Sequence, residues 1–321
     1  MDSLNYIKKV DKHRNKLGRR GLIRWLYLLA RNKKTHYVIT TFGIGDAIAA
    51  CKYLKAYRKT YNISHITLIG KKNKGDIIKL FSQEYDDLIL LDDKEIVELS
   101  DAFLLDYPYT RFFKWSFRVT PAVLICHIRD FDFSVRKGSI LRETTMEGLY
   151  RSLVFNLKDD VREEKPVFPK CDLEIFKKTG AIQGSSVLFA PDANSVSKLD
   201  DRFWISLVDY YTKKGVLCFT NVVKKTDKPL PGTIGVSFSA VETAQFAEYC
   251  GHVVSLRSGL CDLMKYVKCK MAVIYGGDDA EMTKHFYSLQ DGEKKAIINE
   301  YLIDDDNFVE QEKLIIDFME I

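Results

Sequence analysis

A short segment near the start of the chain decides the fold, and it reads Thr40-Thr41-Phe42-Gly43-Ile44-Gly45-Asp46-Ala47. It follows an apolar, β-branched run and leads into a helix-like pattern. Glycines let the backbone turn tightly and approach a ligand, and the free N–H groups of a helix start attract negative charge. The segment therefore predicts a strand, a glycine loop and a helix, with a ligand bound at the loop.

This loop departs from the glycine-rich fingerprint of dinucleotide sites. That fingerprint, Gly-x-Gly-x-x-Gly/Ala, requires a small residue at the position of Ile48. The next predicted strand ends in Lys71 and Lys72, where an acid that binds the ribose is expected. The sequence therefore argues against NAD as the ligand.

Asp46, at the predicted helix start, has a structural and a functional interpretation. An aspartate here caps exposed N–H groups and interacts favourably with the helix dipole. A carboxylate at a binding loop can also accept a proton from a hydroxyl group of a substrate. Both interpretations stay open on the residues alone.

From Tyr37 onward, short aliphatic runs alternate with helix-like segments, which is typical of parallel α/β sheets. The predicted strands of the first half are Tyr37–Thr41, His65–Ile69, Leu88–Leu91 and Ala122–His127. The predicted strands of the second half are Val187–Ala190, Val216–Thr220, His252–Leu256 and Met271–Tyr275. Between the halves, charge and two prolines over residues 159–184 predict a linker.

These patterns predict an α/β protein with two Rossmann-like domains whose parallel sheets face a cleft. The predicted parts are a basic amphipathic segment at 1–35, a first domain at 36–158, the linker at 159–184, a second domain at 185–300 and a last helical segment at 301–321. Ligands of such sheets bind beyond the carboxyl ends of the strands. We therefore expect the functional residues in the loops that follow the strands.

Composition limits the class of protein. The chain has 321 residues, of which 46% are hydrophobic, enough to fold into about two domains. Its seven cysteines are odd in number and form no Cys-x-x-Cys pair, so neither a disulfide framework nor a structural zinc site is expected. This usage is typical of a reduced, cytoplasmic protein.

Positive charge is concentrated at the N terminus. Residues 1–35 carry eleven Lys or Arg against two Asp, a net +9, whereas the whole chain is +5 and its remainder −4. This distribution argues against a nucleic-acid partner. Because the cations flank the apolar run Leu22–Leu29, the segment is a candidate helix for an anionic membrane surface, at the inner face of the cell membrane. Packing of Leu22–Leu29 on the fold is the alternative.

Several short motifs occur in the order in which one known family has them. In chain order they are Gly43-Ile44-Gly45-Asp46, Tyr57-Arg58-Lys59-Thr60-Tyr61, Ile66-Thr67-Leu68-Ile69, Phe189-Ala190-Pro191-Asp192-Ala193, Ser197-Lys198 and Val253–Leu263. Together they span most of residues 37–276. The chain resembles the ADP-heptose:lipopolysaccharide heptosyltransferases, glycosyltransferase family 9.

The resemblance implies a GT-B fold, with an acceptor on the first domain, a sugar nucleotide on the second and a last helix that packs back on the first. It implies transfer of a sugar from a nucleoside-diphosphate donor to a hydroxyl of a glycan (lipopolysaccharide or capsule) or lipid-linked acceptor, with inversion and without metal or cofactor. Matched positions make Asp46 the general base, Lys198 a contact of the donor phosphates, and Ser258 and Gly259 the backbone that meets the diphosphate.

The residues that follow the predicted strand His252–Leu256 also predict a diphosphate site, independently of the resemblance to the family. Arg257, Ser258 and Gly259 offer a guanidinium fork, a hydroxyl and free N–H groups to an anion. Such donors stabilise a leaving diphosphate as its charge grows. Asp262, at a histidine position of the family, completes the predicted donor site. The alternative is that Ser258 is an ordinary N-cap and that Arg257 pairs with Asp262.

A second group of residues is predicted to line the acceptor side, where hydroxyls need donors and acceptors. These residues are Gly43, Gly45, His127, Arg129 and Asp130. A structural role for His127 stays open. Asp130 and Asp132 could instead hold a divalent metal, as in GT-A enzymes, which is the less favoured alternative.

Two further functions fit the same sequence. A polysaccharide pyruvyltransferase, a GT-B relative, has a similar opening glycine loop with an aspartate. A non-catalytic binder of nucleotides or glycans is favoured by Arg257 and Asp262, which replace an aspartate and a histidine of the family.

Overall fold

The computed structural model describes most of the chain. The described residues are 35–40, 43–81, 84–104, 123–126, 144–193, 196–223, 227–277, 280–304 and 307–321. They divide into two compact units, one ending at Glu164 and the other running from Lys165 to Ile321, with residues 144–146 grouped with the second. The boundary lies inside the predicted linker 159–184.

The first unit is built on a parallel sheet with the strand order β3-β2-β1-β4. β1 and β2 are mostly or fully buried, as expected of parallel strands covered on both faces. In chain order the elements are β1 (His36–Thr40), α1 (Ile44–Tyr61), β2 (Ile66–Lys71), a 3₁₀ turn (Lys72–Lys74), α2 (Gly75–Ile78), β3 (Asp87–Leu91), α3 (Asp93–Leu104), β4 (Val123–Cys126), α4 (Met146–Gly148) and a π-helix (Leu149–Val154) that continues α4.

The second unit has a six-stranded parallel sheet with the order β10-β9-β8-β5-β6-β7. Its elements are α5 (Leu173–Lys177), β5 (Ser186–Ala190), α6 (Asp201–Lys213), β6 (Leu217–Asn221), β7 (Ile234–Val236), α7 (Ala240–Cys250), β8 (Gly251–Leu256), α8 (Gly259–Met264), β9 (Lys270–Gly276), α9 (Ala280–Tyr287), β10 (Ile297–Ile303) and α10 (Phe308–Met319). The prediction of an α/β protein with two parallel sheets is confirmed.

Each sheet has a point at which the strand order reverses. In the first sheet the chain moves from β1 to β2 and β3 on one side, and β4 pairs on the other side of β1. In the second sheet β5 pairs with β6 on one side and with β8 on the other. Open parallel sheets bind ligands outside the carboxyl ends of their strands at such points. The carboxyl ends of β1, β5 and β8 therefore lie where sheets of this kind bind ligands.

The core of the second unit includes the face between α6 and α10. The apolar stripe of α6, from Trp204 to Tyr211, is buried. α10 packs against α6, β9 and β10, and its Ile315 and Met319 are completely buried in the same cluster. The sequence prediction placed this helix on the first domain. Ile315 and Met319 complete the apolar core of the second unit, and packing of the same helix on the first domain stays a prediction.

Part of the predicted linker is also packed structure. α5 buries Phe176 completely, with ring contacts to Phe238, Phe246 and Tyr249.

The eight predicted strands begin and end within two residues of the observed ones, whereas β7 and β10 were not predicted. Both lie at the edges of the sheet and are only partly buried, so they lack a continuous apolar run. Among the helices of the described residues, none has the length and apolar content to cross a bilayer.

Candidate functional site

Asp46 lies in the first turn of α1, just beyond the carboxyl end of β1. The backbone N–H of Gly43, the N-cap residue, donates to Asp46 Oδ2 at 2.8 Å. A Cβ at position 43 would lie 3.0 Å from that oxygen, so a side chain there would crowd the carboxylate. Asp46 therefore caps its own helix, and the loop orients one of its two oxygens.

A second donor reaches Asp46 from a distant segment. The hydroxyl of Tyr150 donates to Asp46 Oδ1. Tyr150 is completely buried and lies in the π-helix Leu149–Val154, 104 positions further along the chain. The sequence did not predict this residue, because no local pattern relates two side chains so far apart. Both carboxylate oxygens of Asp46 thus carry a hydrogen bond at the reversal point of the first sheet.

A buried cluster of charged side chains attaches the segment of α4 and the π-helix to α1. Lys52 Nζ contacts Glu147 and lies 3.0 Å from Glu163 Oε2, and the Tyr53 hydroxyl donates to Glu147 Oε1 at 2.6 Å. Burial lowers the pKa of Lys52, but the two carboxylates outweigh burial and raise it overall. A charged lysine therefore holds α4 on α1, two turns from Asp46.

In the second unit, Arg257 follows β8 and is only 4% exposed. Its Nη1 and Nη2 donate to the two oxygens of Asp262, each at 2.9 Å. Nε donates to the carbonyl of Tyr287 at 2.7 Å, and Nη1 also donates to the carbonyl of Ser258 at 2.6 Å. Protein groups thus occupy about four of the five N–H donors of the guanidinium.

This geometry favours the alternative in which Arg257 pairs with Asp262, and binding of the donor by these two residues stays a prediction. A buried guanidinium requires partners that compensate its lost hydration, and Asp262, one turn along α8, supplies them. Burial lowers the pKa of Arg257, but Asp262 outweighs burial and raises it. The alternative interpretation, a structural ion pair, is the one observed.

Ser258 and Gly259 begin α8 beside this pair. Ser258 is the N-cap, with extended backbone at φ −143°, and its side chain accepts no hydrogen bond from the helix. Its hydroxyl lies 3.9 Å from Cys261 Sγ, at the long limit of a weak contact. Both residues are partly exposed. The start of α8 can therefore present a hydroxyl and backbone N–H groups at the reversal point of the second sheet.

Lys198 lies in the loop after β5, on the other side of that reversal point. Its Nζ donates to Asp192 Oδ1 at 2.7 Å, and this bond raises the pKa of Lys198. The Lys198 side chain is 74% exposed. Because an exposed ion pair contributes little stability, a phosphate oxygen can replace Asp192 as the partner at small cost.

Two glycines at the end of β9 support the loop that carries Lys198. Gly277 has φ +97°, and a Cβ there would overlap Ser197 Oγ. At Gly276, a Cβ would lie 2.6 Å from Leu199 Cδ2. The absence of side chains at these two positions lets the loop lie directly on the strand end, which places Lys198 near the carboxyl edge of the sheet.

Several predicted residues lie outside the described part of the chain. They are His127, Arg129, Asp130 and Asp132. The basic segment lies outside as well, except for Thr35. Their acceptor, metal and membrane roles stay predictions.

Comparison with known proteins identifies the fold. Neither a family model nor a curated protein matches the sequence. Among solved structures, a glycosyl transferase of family 9 from Veillonella parvula is similar, with a TM-score of 0.58 and 14% identity, covering 89% of this chain and 96% of that one.

Two structures from E. coli are similar to this chain as well. ADP-heptose lipopolysaccharide heptosyltransferase II has a TM-score of 0.55 and 11% identity, covering 89% of this chain and 97% of that one. The heptosyltransferase WaaC with ADP has a TM-score of 0.53 and 11% identity, covering 89% and 99%. The chain therefore has the GT-B fold of family 9 glycosyltransferase structures, the family that its motifs resemble.

Proposed function

We propose that this chain is a glycosyltransferase that moves a sugar from a nucleoside-diphosphate donor to a hydroxyl of a cell-surface glycan or lipid-linked acceptor. The observation that carries the proposal is the Asp46 carboxylate, which two donors from two separate elements orient at the reversal point of the first sheet. A helix cap alone needs only the Gly43 N–H. The fold, shared with structures of glycosyltransferases, supports the same function.

In this reaction the acceptor oxygen attacks the anomeric carbon as the bond to the diphosphate oxygen breaks. The leaving diphosphate takes the electron pair of that bond, and Asp46 takes the proton of the attacking hydroxyl. Attack from the face opposite the leaving group inverts the anomeric configuration. The proposal includes no metal, because the second unit offers cationic and N–H donors of its own.

The donor diphosphate is assigned to the start of α8 and to the loop after β5. Ser258 and Gly259 contribute a hydroxyl and N–H groups, and Lys198 contributes an ammonium. Arg257 supports this site indirectly, since Nη1 bonds to the carbonyl of Ser258. The proposal also keeps residues 1–35 as the segment that meets an anionic membrane surface, and leaves the donor sugar and the acceptor undefined.

The test is a thermal-shift screen of nucleoside diphosphates followed by assays of turnover. A ligand at a hundredfold excess over its Kd stabilises the folded state by about 2.7 kcal/mol, a shift of several degrees in Tm. Turnover is then measured with sugars of the nucleoside diphosphate that binds best. Asp46→Asn should lower this turnover by about 100- to 10,000-fold and leave the nucleotide-induced shift in Tm unchanged. Asp76→Asn, in the first turn of α2 with a 78% exposed side chain, is the matched control and should keep full turnover.

Other outcomes decide between the alternatives. Turnover with phosphoenolpyruvate in place of nucleotide sugars would identify a pyruvyltransferase. Diphosphate binding without transfer or hydrolysis of any nucleotide sugar would identify a binding protein. Loss of turnover with EDTA would contradict the metal-independent reaction.

A further inference from the structure

Tyr150 is buried beside the proposed base. Its side chain is completely buried, and its hydroxyl donates to Asp46 Oδ1 while the Gly43 N–H holds Oδ2. A carboxylate oxygen has two lone-pair sites, so each oxygen of Asp46 keeps one for a further hydrogen bond. Two donors on different oxygens restrict rotation of the carboxylate about its Cβ–Cγ bond.

The backbone around Tyr150 departs from a regular α-helix. The N–H of Phe155 donates to the carbonyl of Tyr150 at 2.9 Å, a span of five residues, and the turn forms a π-helix over Leu149–Val154. Such turns are rare and occur frequently at functional sites. This one packs against both α1 and β4, the two elements that surround the reversal point of the first sheet.

The Tyr150 hydroxyl is not needed to attach this segment to the fold. Lys52 and Tyr53 already hold Glu147, and Lys52 also holds Glu163. Tyr53 makes the same kind of bond as Tyr150, a phenol to a carboxylate, two turns further along α1. A purely structural tie would therefore be redundant at Tyr150.

We propose that Tyr150 is a positioning residue, which orients the Asp46 carboxylate towards the acceptor hydroxyl. The inference rests on the proposed function. Catalytic groups act efficiently when they are held in the productive geometry before the reaction begins. Tyr150 touches Asp46 rather than the substrate, so its effect passes through the orientation of the base.

The experiment compares Tyr150→Phe with Tyr53→Phe, each in the full chain. Each variant removes a hydroxyl group that donates to a carboxylate, and each keeps the aromatic ring. Both hydrogen bonds join α1 to the segment formed by α4 and the π-helix. Turnover is measured as release of nucleoside diphosphate from the nucleotide sugar on which the natural sequence is most active. Tyr150→Phe should lower kcat by about 10- to 100-fold with KM unchanged, because hydrogen bonds to charged groups have effects of that size. Tyr53→Phe should keep kcat.

A double-mutant cycle on urea unfolding tests the contact without any activity. Tyr150→Phe and Asp46→Asn should be non-additive in their effects on the unfolding midpoint, whereas Tyr53→Phe and Asp46→Asn should be additive. Non-additive midpoints together with a selective fall in kcat support the proposal.

Four results overturn it. Tyr150→Phe with normal kcat, or additive midpoints, shows that the hydroxyl does not orient Asp46, and leaves the proposed function intact. Equal falls in kcat for Tyr150→Phe and Tyr53→Phe show a general structural effect. If the natural sequence turns over no nucleotide sugar while the midpoints remain non-additive, the proposed function itself fails and the bond is only structural.

Discussion

Replacing Arg257 with Met separates the structural from the donor-binding interpretation of this residue. Arg257 and Asp262 have side chains that are 4% and 8% exposed and meet through two bonds of 2.9 Å. Two unit charges about 4 Å apart interact by about 4 kcal/mol at an effective dielectric constant near 20. Without Arg257, Asp262 stays buried without its cation, so Arg257→Met should lower the free energy of unfolding by about 3–5 kcal/mol.

The double variant R257M/D262L shows whether the loss comes from the unpaired charge. It removes both charges and should recover most of the stability, because well-packed apolar residues often replace a buried ion pair without loss. Urea unfolding followed by circular dichroism measures both the midpoint and the slope. The control is Arg202→Met, which breaks an exposed Arg–Asp pair on α6 and should leave the midpoint within experimental scatter.

The nucleotide-induced thermal shift provides the refuting result. If Arg257 is structural, R257M/D262L should fold and still bind the diphosphate that binds the natural sequence. If Arg257→Met instead unfolds at the original urea concentration and loses the nucleotide-induced shift, the guanidinium binds the donor and the assignment made here is wrong.

The other predictions concern a loop and the pH dependence of stability. Gly277→Ala should lower the free energy of unfolding by more than the roughly 1–3 kcal/mol of a strained backbone, because the added methyl group also overlaps Ser197. The control is Gly215→Ala, which has the same kind of backbone strain (φ +79°) but open space around the new methyl group. Equal losses of unfolding free energy in the two variants would contradict this prediction. Burial lowers the pKa of His36 and His252 below the ordinary value of 6.5. As the pH decreases, these histidines therefore bind protons at a higher pH in the unfolded chain than in the folded chain. The free energy of unfolding should therefore fall below about pH 6.5. Urea midpoints at pH 7.5 and 5.5 measure this change, and His252→Gln should reduce it; an unchanged pH dependence in that variant would show that His252 does not contribute.

Local patterns were sufficient for the framework of this protein. The alternation of apolar runs and helical stripes placed eight strands correctly, because burial of a strand or a helix face requires side chains at fixed, short spacings. The glycine loop with Asp46 at a helix start was predicted and observed for the same reason. The bonds involved span at most four residues.

The sequence left two outcomes open at Arg257. Arg257 stands five residues before Asp262, a spacing that suits an internal ion pair as well as an open anion site. The outcome depends on burial, and burial of Arg257 depends on β9, α9 and the carbonyl of Tyr287, which lie elsewhere in the sequence. No pattern around Arg257 contains that information.

The sequence by itself determined the α/β class, the division into two sheets and the presence of an acid at the first glycine loop. Tertiary structure alone decided what surrounds that acid. Tyr150 meets Asp46 because a buried cluster around Lys52 fastens α4 to α1 and a π-turn follows it. Such a contact joins residues 104 positions apart, and the packing of whole elements sets it rather than the chemistry of neighbouring residues.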